Sequence, residues 1–442
     1  MKFRKIFISL SQWLRNHELF VIFTIFYLVF GRTFFDFISD HAVNILKGDQ
    51  WNVVDLVTNS FNLSDLLYQH NEHRIGTGLF VMKFLASLSS WNIRYETYFT
   101  GILILASSVF ALLLKKKLFK KLDIFDIFIP YIFLNLYQWE NLLWGFQIAF
   151  VLPLFFLFIS LYLFTFRASF LRNILVSIIV LFSAYSSFHG LFLGGIVLLC
   201  GLKALAWEGK KGKKHLLSLV LPALFVLSTY FIGYEFRTKN LMTGIEEVHL
   251  LSVLQYLCFQ INNYVGNQSY GTLFYFLPVL FLFLFLVVLY KTIKVKGETK
   301  YFIILSVFLY SFLFMLFTVT GRLHSGVHQA MASRYVTHMT PLFFGSYLVL
   351  RILWRKKRKN LLFILIFLFA CFSAANNHLN YNHAEARRKK LVEWKDCFLE
   401  NGIVSDCNEN TKYFIYPIFG DGLVQSKMKI LEEKNLNLFN GK

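Results

Sequence analysis

Apolar positions in this chain come in runs of about twenty residues, the length of helix that crosses a bilayer, and short polar segments separate them. The first run covers 18–35 and follows Lys2, Arg4, Lys5 and Arg15. By the positive-inside rule this cluster puts the N-terminus in the cytoplasm. No small-residue cleavage site of the A-x-A type follows, so the run reads as a retained helix. The next basic cluster is Lys115, Lys116, Lys117, Lys120 and Lys121. For it to be cytoplasmic too, only one further span can intervene. Of the two candidates, 94–114 is longer and less interrupted than 75–91, so the pattern predicts a helix lying in the interface over 79–91 and the second span over 94–114. Cytoplasmic turns then fall at Arg167 and Arg172, at Lys203 and 210–214, at 291–300 and at 355–359. The segment 173–206 reads as two short helices meeting outside at Ser187-Phe188-His189-Gly190, the alternative being one long tilted helix that would reverse the orientation of everything after it. The prediction is an all-α polytopic transmembrane bundle of about eleven spans, with interfacial helices in its first outer loop. A transmembrane domain over 1–380 is followed by a small, extracytoplasmic C-terminal segment over 381–442. Arg387, Arg388, Lys389 and Lys390 conflict with an external tail, because an outer segment so close to a span should not be basic.

Composition narrows the function classes. The chain is 56% hydrophobic, 19% aromatic and 16% charged, and its net charge of +20 sits mostly in short clusters between apolar runs. Such clusters point to anionic membrane lipids as partners and away from nucleic acid. Of five cysteines, only Cys397 and Cys407 lie in the polar tail, where an oxidising compartment would let them pair. There is no Walker loop, G-x-G-x-x-G, G-x-S-x-G or zinc-type Cys/His spacing, which argues against an ATPase and a soluble nucleotide-sugar enzyme.

The residues with chemistry collect on the outer side. The first outer loop holds Asp36, Asp40, His41, Asp49, Asp55, Asp65 and the unit Glu72-His73-Arg74. The second holds Trp139-Glu140-Asn141 and Trp144-Gly145-Phe146-Gln147, the third His189, and the fifth Arg322, His324, His328, Arg334 and Tyr335. Asp36 and Asp40, four apart at the end of the first helix, share a face and suit a base with its positioner or a shared divalent cation; as single residues they equally suit helix capping. Arg74, Arg322 and Arg334 suit a phosphate clamp, or else anchor helix ends. Trp139 and Trp144 suit a sugar-stacking wall or an interfacial aromatic belt. Glu140, Gln147, His73, His189, His324 and Tyr335 are further candidate substrate contacts. A loosely held Mg²⁺ or Mn²⁺ would draw on Asp36, Asp40 and Glu72.

An acid at the outer end of the first span, then Ala42-x-x-Ile45-Leu46-x-Gly48 and a second interfacial helix, resembles the C-type glycosyltransferase (GT-C) superfold. The Asn71-Glu72-His73-Arg74-Ile75 stretch is similar to one in a group of bacterial membrane proteins of that kind. The resemblance implies an inverting transferase of the bacterial cytoplasmic membrane. It would move a sugar from a polyprenyl-phosphate carrier to a cell-envelope glycan or lipid-linked acceptor on the outer face. Asp36 or Asp40 would act as base. The acids here stand four apart where the family often has adjacent ones. A glycan polymerase or ligase, a transporter or flippase, and an acyltransferase remain alternatives at this level.

Overall fold

The computed structural model describes residues 18–208, 210–236, 249–266, 272–295, 298–353, 359–417 and 420–440. The basic clusters at 2–15 and 355–358 lie outside them. The described chain is helical, apart from one two-residue hairpin, β1 (Gln69–His70) and β2 (His73–Arg74). Among the described residues, six helices have the length and composition to cross a membrane: Glu18–His41, Ile93–Phe119, Gly145–Leu163, Phe274–Lys294, Thr299–Ser325 and Ser333–Leu353. The chain is an integral membrane protein. Shorter apolar helices lie at Phe170–Ala184, Phe188–Lys203 and Leu217–Tyr230.

The helices used below are α1 (Glu18–His41), α2 (Gly76–Ser89), α3 (Ile93–Phe119), α4 (Trp139–Leu143), α5 (Ile148–Leu163) and α6 (Phe170–Ala184). They continue with α7 (Leu191–Glu208), α8 (Lys210–Tyr230), α9 (Leu250–Asn263), α10 (Thr272–Lys294), α11 (Thr299–Arg322) and α12 (Val336–Leu353). Last come α13 (Lys359–Asn401), α14 (Val404–Thr411) and α15 (Gly420–Glu433).

α3 fixes the direction of the bundle. It opens where the Asn92 side chain accepts the Arg94 N–H at 3.1 Å, and it closes with Lys116 and Lys117 in its last turn, where cations suit the helix dipole. Its 27 residues rise about 40 Å, so its two ends report opposite sides. At the far end Lys115 is buried in an ion pair with Asp126, which also accepts from the Tyr347 hydroxyl at 2.6 Å; Arg351 pairs with Asp123 nearby. At the near end, α3 meets the first loop and the tail. The Ile93 N–H donates to Asn44, and Asn437 donates to Asn44 and to the Trp91 carbonyl.

The C-terminal segment therefore lies on the same side as loop 36–93. The Gly48 N–H donates to the Ile415 carbonyl at 3.2 Å, Asn52 donates to the Tyr416 hydroxyl at 2.7 Å, and Lys427 pairs with Asp55 at 2.5 Å. A disulfide joins Cys397 to Cys407, the pair that the sequence singled out. The predicted interfacial helix appears as α2, and its Gly78 packs on Ala149 of α5 so closely that a Cβ would come within 2.4 Å of the alanine methyl. The break at 187–190 is also present, with a single 3-10 turn between α6 and α7.

Candidate functional site

The loop after α1 is held from three directions, and this fixes Asp49. Gly48 has φ +52, and a Cβ there would meet the Trp144 ring at 3.0 Å, so glycine is needed both for the turn and for the approach. The Trp144 indole N–H donates to the Lys47 carbonyl at 3.0 Å. Gln50, one residue beyond the acid, donates to the buried Glu96 carboxylate at 3.0 Å, and Trp91 donates to the other Glu96 oxygen at 2.8 Å. Asp49 itself stays 27% exposed, with its Oδ2 3.5 Å from His70 Nε2. His70 is placed by the hairpin, in which it opposes His73, and by the edge of Phe146 with ring centroids 5.1 Å apart.

A second group gathers on the one-turn helix α4 and its flanks. Arg387 of α13 lies over the Trp139 ring at 5.6 Å, Lys47 over the Trp144 ring at 5.6 Å, and Arg334 Nη1 is 3.8 Å from Glu140. Three cations from three distant segments thus converge on 139–144. The docking of 333–335 on this helix runs mainly through backbone. The Arg334 N–H donates to Glu140 Oε2 at 3.1 Å, Asn141 donates to the Arg334 carbonyl at 2.9 Å, and the Ser333 hydroxyl donates to the Tyr137 carbonyl at 2.7 Å. The Arg334 guanidinium is left 34% exposed. Arg387 is 9% exposed, with Nε and Nη1 unpartnered and only a 3.5 Å contact from Nη2 to the Leu143 carbonyl. Burial, and then the neighbouring charge of Arg387, holds the Lys47 ammonium well below the usual lysine range. A cavity of about 280 Å³, lined by Trp139, Glu140, Asn263, Ser333, Asn380 and His383 among others, opens beside the helix.

The two groups share one vestibule. The charge of Asp49 acts on Arg334 and on His73, and that of Arg322 acts on His73 and on Tyr256, whose neighbour is Tyr335. Hence segments 47–50, 139–147 and 322–335 and the helix Lys359–Asn401 lie near one another.

Several sequence-predicted residues belong elsewhere. Asp36 and Asp40 do share a face of α1, but it is the exposed one, where Asp36 is 62% exposed and pairs with Arg32 at 3.4 Å. They act on Tyr381 and Arg388 of α13. Tyr381, Glu385 and Arg388 line one flank of that helix, whereas Leu379, Asn380, His383 and Arg387 line the opposite flank, toward Trp139. The helix stands between the two acids and the vestibule. Arg74 is buried and its fork donates to backbone: Nε donates to the Tyr230 carbonyl at 3.2 Å, Nη2 to Ile232 at 2.6 Å, and Nη1 to Leu67. It ties the hairpin to the end of α8, with three of its five N–H donors given to backbone carbonyls. Glu72 accepts from the Tyr234 hydroxyl at 2.9 Å. Among the described residues no three His, Cys, Asp or Glu side chains group to hold a metal ion. Gln147 is buried below Trp144.

Glu140, Trp139 and Arg334 come together, and Arg322 and His324 are exposed at the end of α11. Tyr335 is buried against Phe314, with the Arg334 guanidinium 5.5 Å over its ring. His73 and His189 lie deeper. His73 Nδ1 accepts the Phe188 N–H at 3.2 Å, so its proton sits on Nε2, and burial holds the ring well below the usual histidine range. Its ring is 5.8 Å from His189, which is 4.2 Å from His338, and the His338 Nδ1 is 3.3 Å from the Tyr310 hydroxyl. Sequence reasoning missed Lys47, Asp49, His70 and Arg387 as members of the site. For Asp49 a signal was present: the Gly48-Asp49 turn directly after the apolar stripe 42–46.

No family model matches the chain, and no curated protein does. Among solved structures it is similar to the Archaeoglobus fulgidus oligosaccharyltransferase. With a tethered acceptor peptide, that enzyme gives a TM-score of 0.47 at 11% identity, over 92% of this chain and 60% of the other. Its complex with zinc and sulfate gives a TM-score of 0.43 at 13% identity, over 85% and 54%. The chain thus spans little more than half the length of that enzyme.

Proposed function

We propose that the protein is a GT-C-type membrane glycosyltransferase of the bacterial cytoplasmic membrane, related to the group that carries Asn-Glu-His-Arg-Ile. In this reading it transfers a sugar from a polyprenyl-phosphate carrier to a cell-envelope glycan or lipid-linked acceptor on the outer face. The observation that carries the reading is the convergence of Lys47, Arg334, Arg387 and Glu140 on the helix Trp139–Leu143, with a semi-exposed carboxylate, Asp49, two residues after Lys47. Asp49 takes the proton of the acceptor hydroxyl, whose oxygen attacks the anomeric carbon as the bond from that carbon to the phosphate oxygen breaks. The electron pair leaves with the lipid phosphate, which Arg334 and Arg322 receive. One displacement inverts the anomeric configuration. His70 holds the carboxylate in place, and the indole of Trp139 offers a wall for the sugar.

The test is reconstitution of the full chain with polyprenyl-phosphate sugars and envelope glycan, scored by release of polyprenyl phosphate. The wild type should turn over, Asp49→Asn should not, and Asp36→Asn and Asp40→Asn should behave as wild type. Turnover by Asp49→Asn would sink the mechanism. A second reading, a proton-coupled transporter, draws on the string of His73, His189 and His338 within the bundle, where His189 Nε2 is buried and unpartnered. That reading requires proton flux in liposomes and its loss in His189→Phe.

A further inference from the structure

The tail reaches the turn that carries Asp49 through a short chain of contacts that starts at the disulfide. Cys397 on α13 is bonded to Cys407 on α14, and the next residue, the buried Asn408, is a junction. Its Oδ1 accepts the Trp394 indole N–H at 2.7 Å and the Ile415 N–H at 3.3 Å, and its Nδ2 donates to Asp421 at 2.6 Å. The Ile415 carbonyl in turn accepts the Gly48 N–H at 3.2 Å, and the Tyr416 hydroxyl accepts from Asn52 at 2.7 Å. Residues 415 and 416, both buried, therefore grip the first loop on either side of Asp49, one residue before it and three after. The cross-link pins the junction. α14 has eight residues, too few to be stable as a helix by themselves, and it includes Ser405, Asp406, Asn408 and Asn410, which favour turns and caps. The two sulfurs differ in access. Cys407 is fully buried, whereas Cys397 is only partly so and lies 3.5 Å from the amide of the exposed Asn401, so the open approach to the bond is at Cys397.

We infer that the Cys397–Cys407 bond is a redox-sensitive latch on the Gly48–Asp49 turn. Oxidised, it holds Asn408 and Ile415 where they shape the turn; reduced, it lets the turn go. The agent that opens it is a dithiol. One thiolate of the dithiol attacks Cys397 Sγ, the bond to Cys407 breaks, and the Cys407 sulfur leaves with the electron pair and takes up a proton. The second thiolate then attacks the dithiol's first sulfur in the mixed disulfide, closing the dithiol's own disulfide and releasing the Cys397 sulfur, which is protonated in turn. The dithiol loses two electrons and two protons, and the protein gains them. The inference rests on the proposed transferase reading only for what the turn does; the latch itself concerns geometry.

Hydrogen exchange read by mass spectrometry needs no substrate. The full chain in nanodiscs of phosphatidylcholine is compared before and after treatment with dithiothreitol. Reduction should speed exchange over residues 47–52 about 5- to 150-fold, the span of two ordinary hydrogen bonds, and leave exchange at the Lys115–Asp126 end of α3 unchanged. Cys397→Ser/Cys407→Ser should exchange at the reduced rate with or without dithiothreitol. Asn408→Leu, which keeps the disulfide, should free the same turn, and a wild-type elution profile for each variant separates loss of the latch from loss of fold. Equal exchange over 47–52 in the oxidised and reduced wild type would overturn the inference and leave the disulfide a staple of the tail alone. A bond that dithiothreitol leaves closed in the folded chain, read as intact mass after alkylation, would overturn it as a switch. Wild-type exchange in Asn408→Leu would overturn the route through Asn408, and faster exchange throughout the reduced chain would replace the latch by general unfolding. A latch that works in a chain with no transferase turnover in either redox state would count against the transferase reading and leave this inference standing.

Discussion

Arg74→Lys separates an architectural arginine from a phosphate clamp. The Arg74 fork reaches three carbonyls, of Leu67, Tyr230 and Ile232, and its plane lies 5.7 Å from the Tyr234 ring centre. A lysine has one ammonium nitrogen, which can reach one of the three sites. Two charge-assisted hydrogen bonds are then lost, each worth about 1.5–3 kcal/mol, for a ceiling of about 3–6 kcal/mol. Leu67 and Ile232 are themselves exposed, so water can rehydrate their carbonyls, and about 2–4 kcal/mol is the expected net loss. The measurement is unfolding of the purified full chain in detergent, followed by intrinsic tryptophan fluorescence. The midpoint should fall by about 2–4 °C, the segment 230–236 should become the first site of protease cleavage, and donor affinity per folded molecule should stay at the wild-type value. A variant that melts like the wild type but no longer binds the donor would restore Arg74 as a phosphate ligand and refute this reasoning.

Other outcomes follow from the same geometry. Arg334→Lys should fold normally, because the fifth loop docks through the Arg334 backbone, yet donor use should fall about 10- to 150-fold as a planar fork is lost; unchanged turnover would count against Arg334 as a phosphate ligand. His73 is depressed in the fold and ordinary when unfolded, so below about pH 6.5 the unfolded chain takes up protons that the folded one does not. Stability should therefore drop on acidification, by up to about 1.4 kcal/mol per pH unit, and His73→Gln should flatten that slope; an identical slope in the variant would put the titration elsewhere. Reducing the Cys397–Cys407 bond, which closes a ten-residue separation, should cost the tail about 2–3 kcal/mol and expose the Lys427–Asp55 contact to trypsin; an unaltered digest would show that the tail docks without it.

The legible part of this protein was what periodicity and charge clusters encode. The long helices, the interfacial helix before α3 and the break at 187–190 follow from apolar run length and from where lysines sit. The candidate site was legible only in part by residue. Asp36 and Asp40 satisfied the helical spacing rule, but spacing says which residues share a face and not which way the face points. That direction is set by Phe37, His41 and Tyr381, which pack α1 onto α13 from a position 340 residues later in the chain than His41 (381 − 41). Arg74 was misjudged for a related reason. Its three acceptors are backbone carbonyls, and those leave no mark in the sequence. Glu140 and Arg334 were each found by composition, but their pairing crosses 194 residues.

The basic run at 387–390, which contradicted an external tail, has its explanation in how α13 is used. Arg387 points into the vestibule against Trp139, and Arg388 is tied by two hydrogen bonds, at 2.8 and 2.9 Å, to Glu385 one turn before it. Of four charges, one serves the site and one is neutralised locally, which leaves Lys389 and Lys390 as free surface cations. The positive-inside rule counts lysines and arginines by position and has no means of seeing that a charge is consumed. Here the tail helix brings Arg387 over the ring of Trp139, which also stacks with His383 of the same helix. The run that argued against an external tail thus supplies a contact that ties the tail helix to the segment 139–144.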